Sequence, residues 1–273
     1  MIWRKIDWRR AFNWRSVPLR ALLFAAGFTI LISSASTGSE REKPKLIEEF
    51  LTTEPSYVEP KGEVQVSSAF DYRRPAEDWR IPLSIQFGIT DRVEAEVDAI
   101  YLSIPGDGST NRGPGDMDPG LHYALRPDVE KVSLTVGVDV GLPTGNKAKD
   151  LGSGQVDVEL FGITGMKVCQ GELHVTGVLD VGDKVEPGLD IGLAYPLGGL
   201  RLTLETNVVV DPERPGELAV SQDKGENVWV IVTPGLFHRA SPEIEYGIGV
   251  PIGLTRSSPD WGLIGRLTIE FEL

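Results

Sequence analysis

Residues 113–168 read GPGDMDPGLHYALRPDVEKVSLTVGVDVGLPTGNKAKDLGSGQVDVELFGITGMKV. Two runs inside this stretch alternate strictly, Val132–Leu142 and Val156–Leu160. Apolar side chains fall on one face, and small or acidic ones on the other. That period of two marks strands with one greasy and one wet side. Between them, Pro143-Thr144-Gly145 opens a polar, Gly-rich segment that runs to Gly154. The unit is a long hairpin, and strands of about ten residues span a bilayer when tilted.

The pattern recurs on both sides. Strands are expected at 63–72, 79–89, 93–104, 116–126, 131–142, 155–168, 171–182, 188–196, 199–210, 227–238, 243–254 and 262–273. In the third, Val93, Ala95, Val97, Ala99 and Tyr101 share a face against Glu94, Glu96 and Asp98. In the ninth, Leu200, Leu202 and Leu204 oppose Arg201, Thr203 and Glu205. The connections at Thr90–Arg92, Gln170–Gly171 and Leu197–Gly199 are tight; those at 105–115, 143–154, 211–226 and 255–261 are long and polar. Short turns at one end and long loops at the other are the habit of outer-membrane barrels. The expected fold is therefore all-β, a single antiparallel up-and-down transmembrane barrel of about twelve strands. Trp79, Trp229, Trp261, Tyr101, Tyr123, Tyr195 and Tyr246 fall near strand ends, where an interfacial aromatic girdle belongs.

The N-terminus reads as a targeting segment. Arg4, Lys5, Arg9, Arg10, Arg15 and Arg20 precede an apolar run from Ala21 to Ile32, and Ser33-Ser34-Ala35 supplies small residues for cleavage. The expected organisation is a signal peptide over 1–35, a periplasmic arm over 36–60 and the barrel over 61–273. In the arm, Leu46–Leu51 has the composition of one or two helical turns before Pro55, Pro60 and Gly62 break regularity. No further run is long and apolar enough for a spanning helix.

Charge narrows the functional classes. The 273-residue chain has a net charge of −13. Six basic residues and one Asp give the first 35 residues +5, which leaves −18 for the remainder. So acidic a body excludes nucleic acid as a partner. Cys169 is the only cysteine, so neither an internal disulfide nor a Cys-based zinc site exists. His122, His174 and His238 are scattered, no nucleophile elbow accompanies them, and no catalytic set, cofactor or metal centre is expected. Oxygen donors at Asp107, Ser109, Asn111, Asp116 and Asp118 resemble a calcium loop, but Arg112 replaces the turn glycine and no Glu closes it. The alternation instead places Glu94, Glu96, Asp98, Asp139, Asp157, Glu159, Asp180, Asp190, Glu205 and Glu245 toward a wet lumen. Carboxylates lining a pore favour cations or neutral polar solutes.

Four motifs carry a family resemblance: Phe87–Glu94 (FGITDRVE), Gly115–Tyr123 (GDMDPGLHY), Val138–Gly145 (VDVGLPTG) and Gly152–Gly154 (GSG). In this order they resemble the outer-membrane β-barrel family of phenol-degradation meta-pathway transporters, over roughly residues 55 to 273. His122 departs from the family's usual Lys before Tyr123, and Leu273 from a terminal aromatic, although Phe271 lies two residues back. The resemblance implies an outer-membrane channel or transporter for small solutes, aromatic or hydrophobic ones included, in a Gram-negative bacterium. Its partners would be membrane lipid, the solute and, during biogenesis, periplasmic chaperones and the barrel-assembly machinery. It implies no catalytic residues. The alternatives are a non-transporting structural or binding barrel, and a secreted β-sandwich.

Overall fold

The computed structural model describes residues 49–106, 109–127, 132–182, 185–210 and 228–273. The proposed signal peptide, the first part of the arm and the 211–226 loop lie outside the described residues. Among the described residues, thirteen strands follow in chain order: β1 (Glu63–Arg74), β2 (Asp78–Thr90), β3 (Val93–Gly106), β4 (Ser109–Arg126), β5 (Val132–Gly141), β6 (Asp157–Val168), β7 (Gly171–Val181), β8 (Val185–Leu197), β9 (Leu200–Val210), β10 (Val228–Ser241), β11 (Ile244–Gly249), β12 (Ile252–Gly253) and β13 (Trp261–Glu272). Each pairs antiparallel with its neighbour, and β1 pairs with β13 from Glu63↔Glu272 to Arg74↔Trp261. That last ladder closes the sheet into a barrel, so the two-sheet sandwich is set aside. A closed sheet leaves no edge of unpaired N–H and C=O groups, which is the condition for crossing lipid with strands.

The eleventh strand is interrupted. β11 and β12 both pair with β10 and β13, so together they fill one place in a twelve-stranded wall. Pro251 sits at the break and has no N–H to give to a ladder. The sequence reads as one run over 243–254 because its apolar alternation continues past the proline. The loop expected at 105–115 is also different: β3 reaches Gly106 and β4 begins at Ser109. Ser109 and Asn111 are laddered to Gly106 and Ile104, so no calcium-type loop forms from them.

The alternation sorts side chains by face. Leu83, Ile85, Val97, Leu121, Leu160, Leu193, Leu202, Leu204 and Ile269 are among the large apolar residues exposed on the outside. An exposed apolar belt running around a whole molecule is far beyond what a soluble monomer carries. Aromatic residues gather toward its rims: Trp79 stacks between Phe70 and Tyr101 with ring centroids 6.0 Å apart on each side, and Tyr72 meets Trp261 edge-on at 6.4 Å. Such rings suit the lipid headgroup level. Among the described residues, no helix is long and apolar enough to cross a membrane.

Candidate functional site

The inner face is polar, and the arm lies across it. Residues 49–62 enter the lumen at the end that carries the short turns, where β1 begins and β13 ends. Glu49–Leu51 is not helical, in contrast to the helical turns expected there. Phe50 is fully buried, and Leu51, Thr53 and Ser56 nearly so. Leu51 packs with Ala69, Phe237 and Ile264; Phe50 packs with Ala194 and Tyr57. Phe50 lies against bare backbone, since a Cβ on Gly192 would be 2.8 Å from its ring.

An irregular segment inside a barrel must find partners for its own backbone, and the wall supplies them. Glu205 is fully buried and accepts the N–H groups of Leu51 (3.0 Å), Thr52 (2.6 Å) and Thr53 (3.0 Å), the Thr52 hydroxyl (2.9 Å) and the Thr203 hydroxyl (3.1 Å). Three consecutive amides on one carboxylate hold the arm in a bend. Farther along, the Ser56 N–H donates to His174 Nδ1 at 3.0 Å, and Thr135 donates to the Ser56 carbonyl at 2.8 Å. Because Nδ1 accepts, the neutral ring carries its proton on Nε2, facing Glu172 at 3.4 Å. Tyr57 donates to that same Glu172, and the Glu59 N–H to Glu94. At the arm's other end, Glu49 forms an ion pair with Arg266, and its carbonyl accepts from Arg201. Arg201 also pairs with Glu245 at 2.8 Å and stands 4.5 Å over the Phe237 ring.

Above this floor the lumen opens into a cavity of about 520 Å³. Glu49 and Leu51–Pro55 form its base. Its wall divides by chemistry. Asp98, Asp118, Glu159, Asp180, Glu186 and Asp190 line the β3–β8 side. Several stand directly opposite one another across strands: Asp98↔Asp118, Glu159↔Asp180 and Asp180↔Glu186. The β13–β1–β2 side brings Arg266, Arg73 and Arg80. Asp71 holds two of these, with Arg73 at 2.9 Å and Arg80 at 2.7 Å. Between the charged sides lies an apolar patch of Val209, Trp229, Ile231 and Ile264. Trp229 is thus buried and turned inward, and it does not belong to the aromatic girdle.

At the loop end, the β5–β6 connection folds back onto β3 and β4. Asp116 accepts the N–H of Gly145 (2.8 Å) and of Ser153 (2.6 Å), and Leu151 is buried against the inner face. The motifs GD, PTG and GSG therefore meet in one carboxylate-bridged turn.

The ten acids expected on the wet face separate by surroundings. Asp98, Glu159, Asp180 and Asp190 face the cavity; Glu205 and Glu245 are taken up by the arm and Arg201. Asp157 lies across the bare backbone of Gly141. Glu94, Glu96 and Asp139 converge on His122. Sequence reasoning missed the arm's seats at His174, Glu172, Ser133, Arg201 and Arg266. Glycines on the inner face at mid-strand were the available signal, because a bare position in a strand marks close approach of another chain segment.

The class defined by this geometry is a closed antiparallel barrel whose lumen is floored by its own N-terminal segment. Known structures of similar fold include outer-membrane channels and porins. The COG4313 outer membrane channel from Pseudomonas putida F1 matches at a TM-score of 0.63 and 15% identity, over 80% of this chain and 100% of that one. The NanC porin matches at 0.55 and 11%, over 76% and 100% of the respective chains. The KdgM porin matches at 0.51 and 8%, over 77% and 99%. No protein-family model matches the chain, and no curated protein matches it.

Proposed function

We propose that the chain is an outer-membrane channel for small amphipathic solutes of neutral or positive charge. The cavity above the arm is its recognition compartment. One observation carries this reading: an acidic wall on β3–β8 faces an apolar patch around Trp229 within a single chamber. Carboxylates at low dielectric attract cations and repel anions, and a buried indole face favours aromatic or alkyl groups and cations. The apolar outer belt supports a place in the bilayer, and the floor supports a narrow or gated route in place of a wide water-filled pore.

The test uses the refolded chain in planar bilayers and in liposomes. Expected are small conductance steps with a cation preference in the reversal potential, and faster liposome entry of benzyltrimethylammonium than of benzoate. Insertion with neither steps nor entry of either solute would overturn transport and favour the non-transporting barrel. Preferential entry of benzoate would overturn the assigned solute class.

A further inference from the structure

His122 is the one imidazole that meets three carboxylates among the described residues. It lies on β4 opposite Glu94 of β3 and is 5% exposed. Its Nδ1 stands 3.1 Å from Glu94 Oε1. Its Nε2 stands 3.4 Å from Glu96 Oε2 and 3.3 Å from Asp139 Oδ1. The two nitrogens therefore have different surroundings. The Nδ1 contact has the length of an ordinary N–H···O hydrogen bond, whereas Nε2 has only a long hydrogen bond to Asp139 and a still longer contact to Glu96. Metal bonds of about 2.0–2.1 Å put tetrahedral ligand atoms about 3.3–3.4 Å apart, which matches the separation of Nε2 from Glu96 and from Asp139, and Glu94, Glu96 and His122 each bring a ligand atom within 4.8 Å of the others.

The local backbone leaves room for this convergence. Gly120 stands between Glu96 on β3 and Asp139 on β5 in register. A Cβ there would fall 1.8 Å from Asp139 Oδ1 and 3.4 Å from His122 Nε2. The residue opposite His122 on β5 is Gly137, over which the Phe161 ring lies and packs edge-on to the imidazole at 4.8 Å. The ring is thus pinned on one side with Nε2 aimed at two carboxylates. Glu96 is oriented in turn by Gln86 at 3.1 Å and by Ser84. Charge points the same way. One imidazolium among three carboxylates leaves two uncompensated negative charges beside buried Glu94 and Glu96, whereas a divalent ion on a neutral imidazole leaves one.

We propose that His122 Nε2, Glu96 and Asp139 form a binding site for a first-row divalent metal ion in the barrel wall at the edge of the chamber. Glu94 takes the Nδ1 proton and holds the imidazole from behind, the usual outer partner of a metal-bound histidine. A donor set of one imidazole and two carboxylates suits Zn²⁺, Co²⁺ or Mn²⁺ and disfavours Mg²⁺ and Ca²⁺. Glu96 borders the cavity and Asp139 is partly exposed, so the ion has a route in and a remaining position for water or solute. The site stands apart from the transport reading and survives its failure.

The test is Zn²⁺ calorimetry on the metal-free, refolded full chain in detergent micelles. One Zn²⁺ per chain is expected, undisturbed by excess Ca²⁺ or Mg²⁺. His122→Gln and Asp139→Asn should weaken it by about 100-fold or more, and Glu94→Gln by about 10–100-fold. The chain has only three histidines, so His238→Gln, at a half-buried ring whose Nδ1 meets the Gly199 carbonyl, should leave binding unchanged. Heat-modifiable gel mobility checks that each variant folds. Unvaried protein loaded with Cu²⁺ gives a second readout that needs no variant: pulsed EPR should show the remote nitrogen of one coordinated imidazole. Zn²⁺ binding that His122→Gln does not change, no binding at all, or Cu²⁺ without that nitrogen signal would overturn the proposal.

Discussion

The two halves of the lumen share one alternation and differ in what meets it. At the short-turn end the inner polar groups of Glu205, His174, Glu172, Thr135 and Arg201 find the arm. At the loop end Asp98, Asp118, Glu159, Glu186 and Asp190 face an open cavity. A polar inner face is therefore not in itself the sign of a pore. It becomes the seat of a plug where another segment brings backbone N–H and C=O groups, and a chamber where it does not. The arm's burial of Phe50 and Leu51 decides which half is which, because those two side chains anchor it beside inner-face glycines and small residues.

The strongest way to break the comparison is to release the arm. Glu205→Ala removes the acceptor of three consecutive amides and two hydroxyls. Hydrogen bonds to a charged group contribute about 1.5–3 kcal/mol each, so local opening should rise by at least about 100-fold. Hydrogen exchange at Leu51–Thr53 reads this directly, and single-channel conductance should increase in the same variant. If exchange is unchanged, the arm is held by its other contacts, the burial of Phe50 and Leu51 foremost. Gly192→Ala is the apolar counterpart and the next largest effect. Its new methyl meets the Phe50 ring, and overpacking of this kind costs about 1–3 kcal/mol. Protease cleavage in 49–59 should speed up by about tenfold while barrel mobility on gels stays heat-modifiable.

The loop end has its own fastening. Asp116→Asn keeps one acceptor and turns an N–H toward either Gly145 or Ser153, which costs about 1–2 kcal/mol locally. Exchange in 143–154 should rise, with the arm unaffected. A response in the arm would mean that the two halves are coupled and the division is false.

How much of this was legible follows from where the determinants sit. Strand existence was readable because each strand carries its own period of two, and β5, β6, β7 and β9 match their expected bounds to within two residues. Residues 105–115 were not, because Gly113, Pro114 and Gly115 have turn chemistry. They serve a strand whose inner face must admit Leu151, and Gly115 lies in contact with Ile100. The arm was legible only as a segment outside the barrel. Its partners lie up to 217 residues away, for the Glu49–Arg266 pair, and no local pattern encodes such a pairing. The convergence on His122 was hidden for the same reason. Its three carboxylates come from two neighbouring strands, and only the register of β3, β4 and β5 brings them to one ring.

The smallest expected effect joins floor to chamber. Glu54 lies on the arm and faces the cavity. Enclosure by the barrel pushes its carboxyl up to about 8; His122 opposes the push, and Asp98, Asp139 and Glu159 add to it. Cavity water reaches the carboxyl, which limits the consequence for stability. The sign follows from a raised acid. Below this pKa the group is protonated and neutral; above it, the floor gains one negative charge. Cation preference in the reversal potential should therefore grow as pH rises through about 8, and Glu54→Gln should flatten the rise. The same linkage acts on the arm. A carboxyl whose pKa is raised by docking weakens the docked state progressively as pH climbs from the ordinary carboxylate value of 4.5 to about 8, and the penalty levels off above that. Arm cleavage by protease should thus quicken between about pH 4.5 and 8 in the unvaried chain and not in Glu54→Gln. Selectivity that changes with pH without any change in cleavage would place the titrating group on the wall, and the floor would then be only a passive boundary of the chamber.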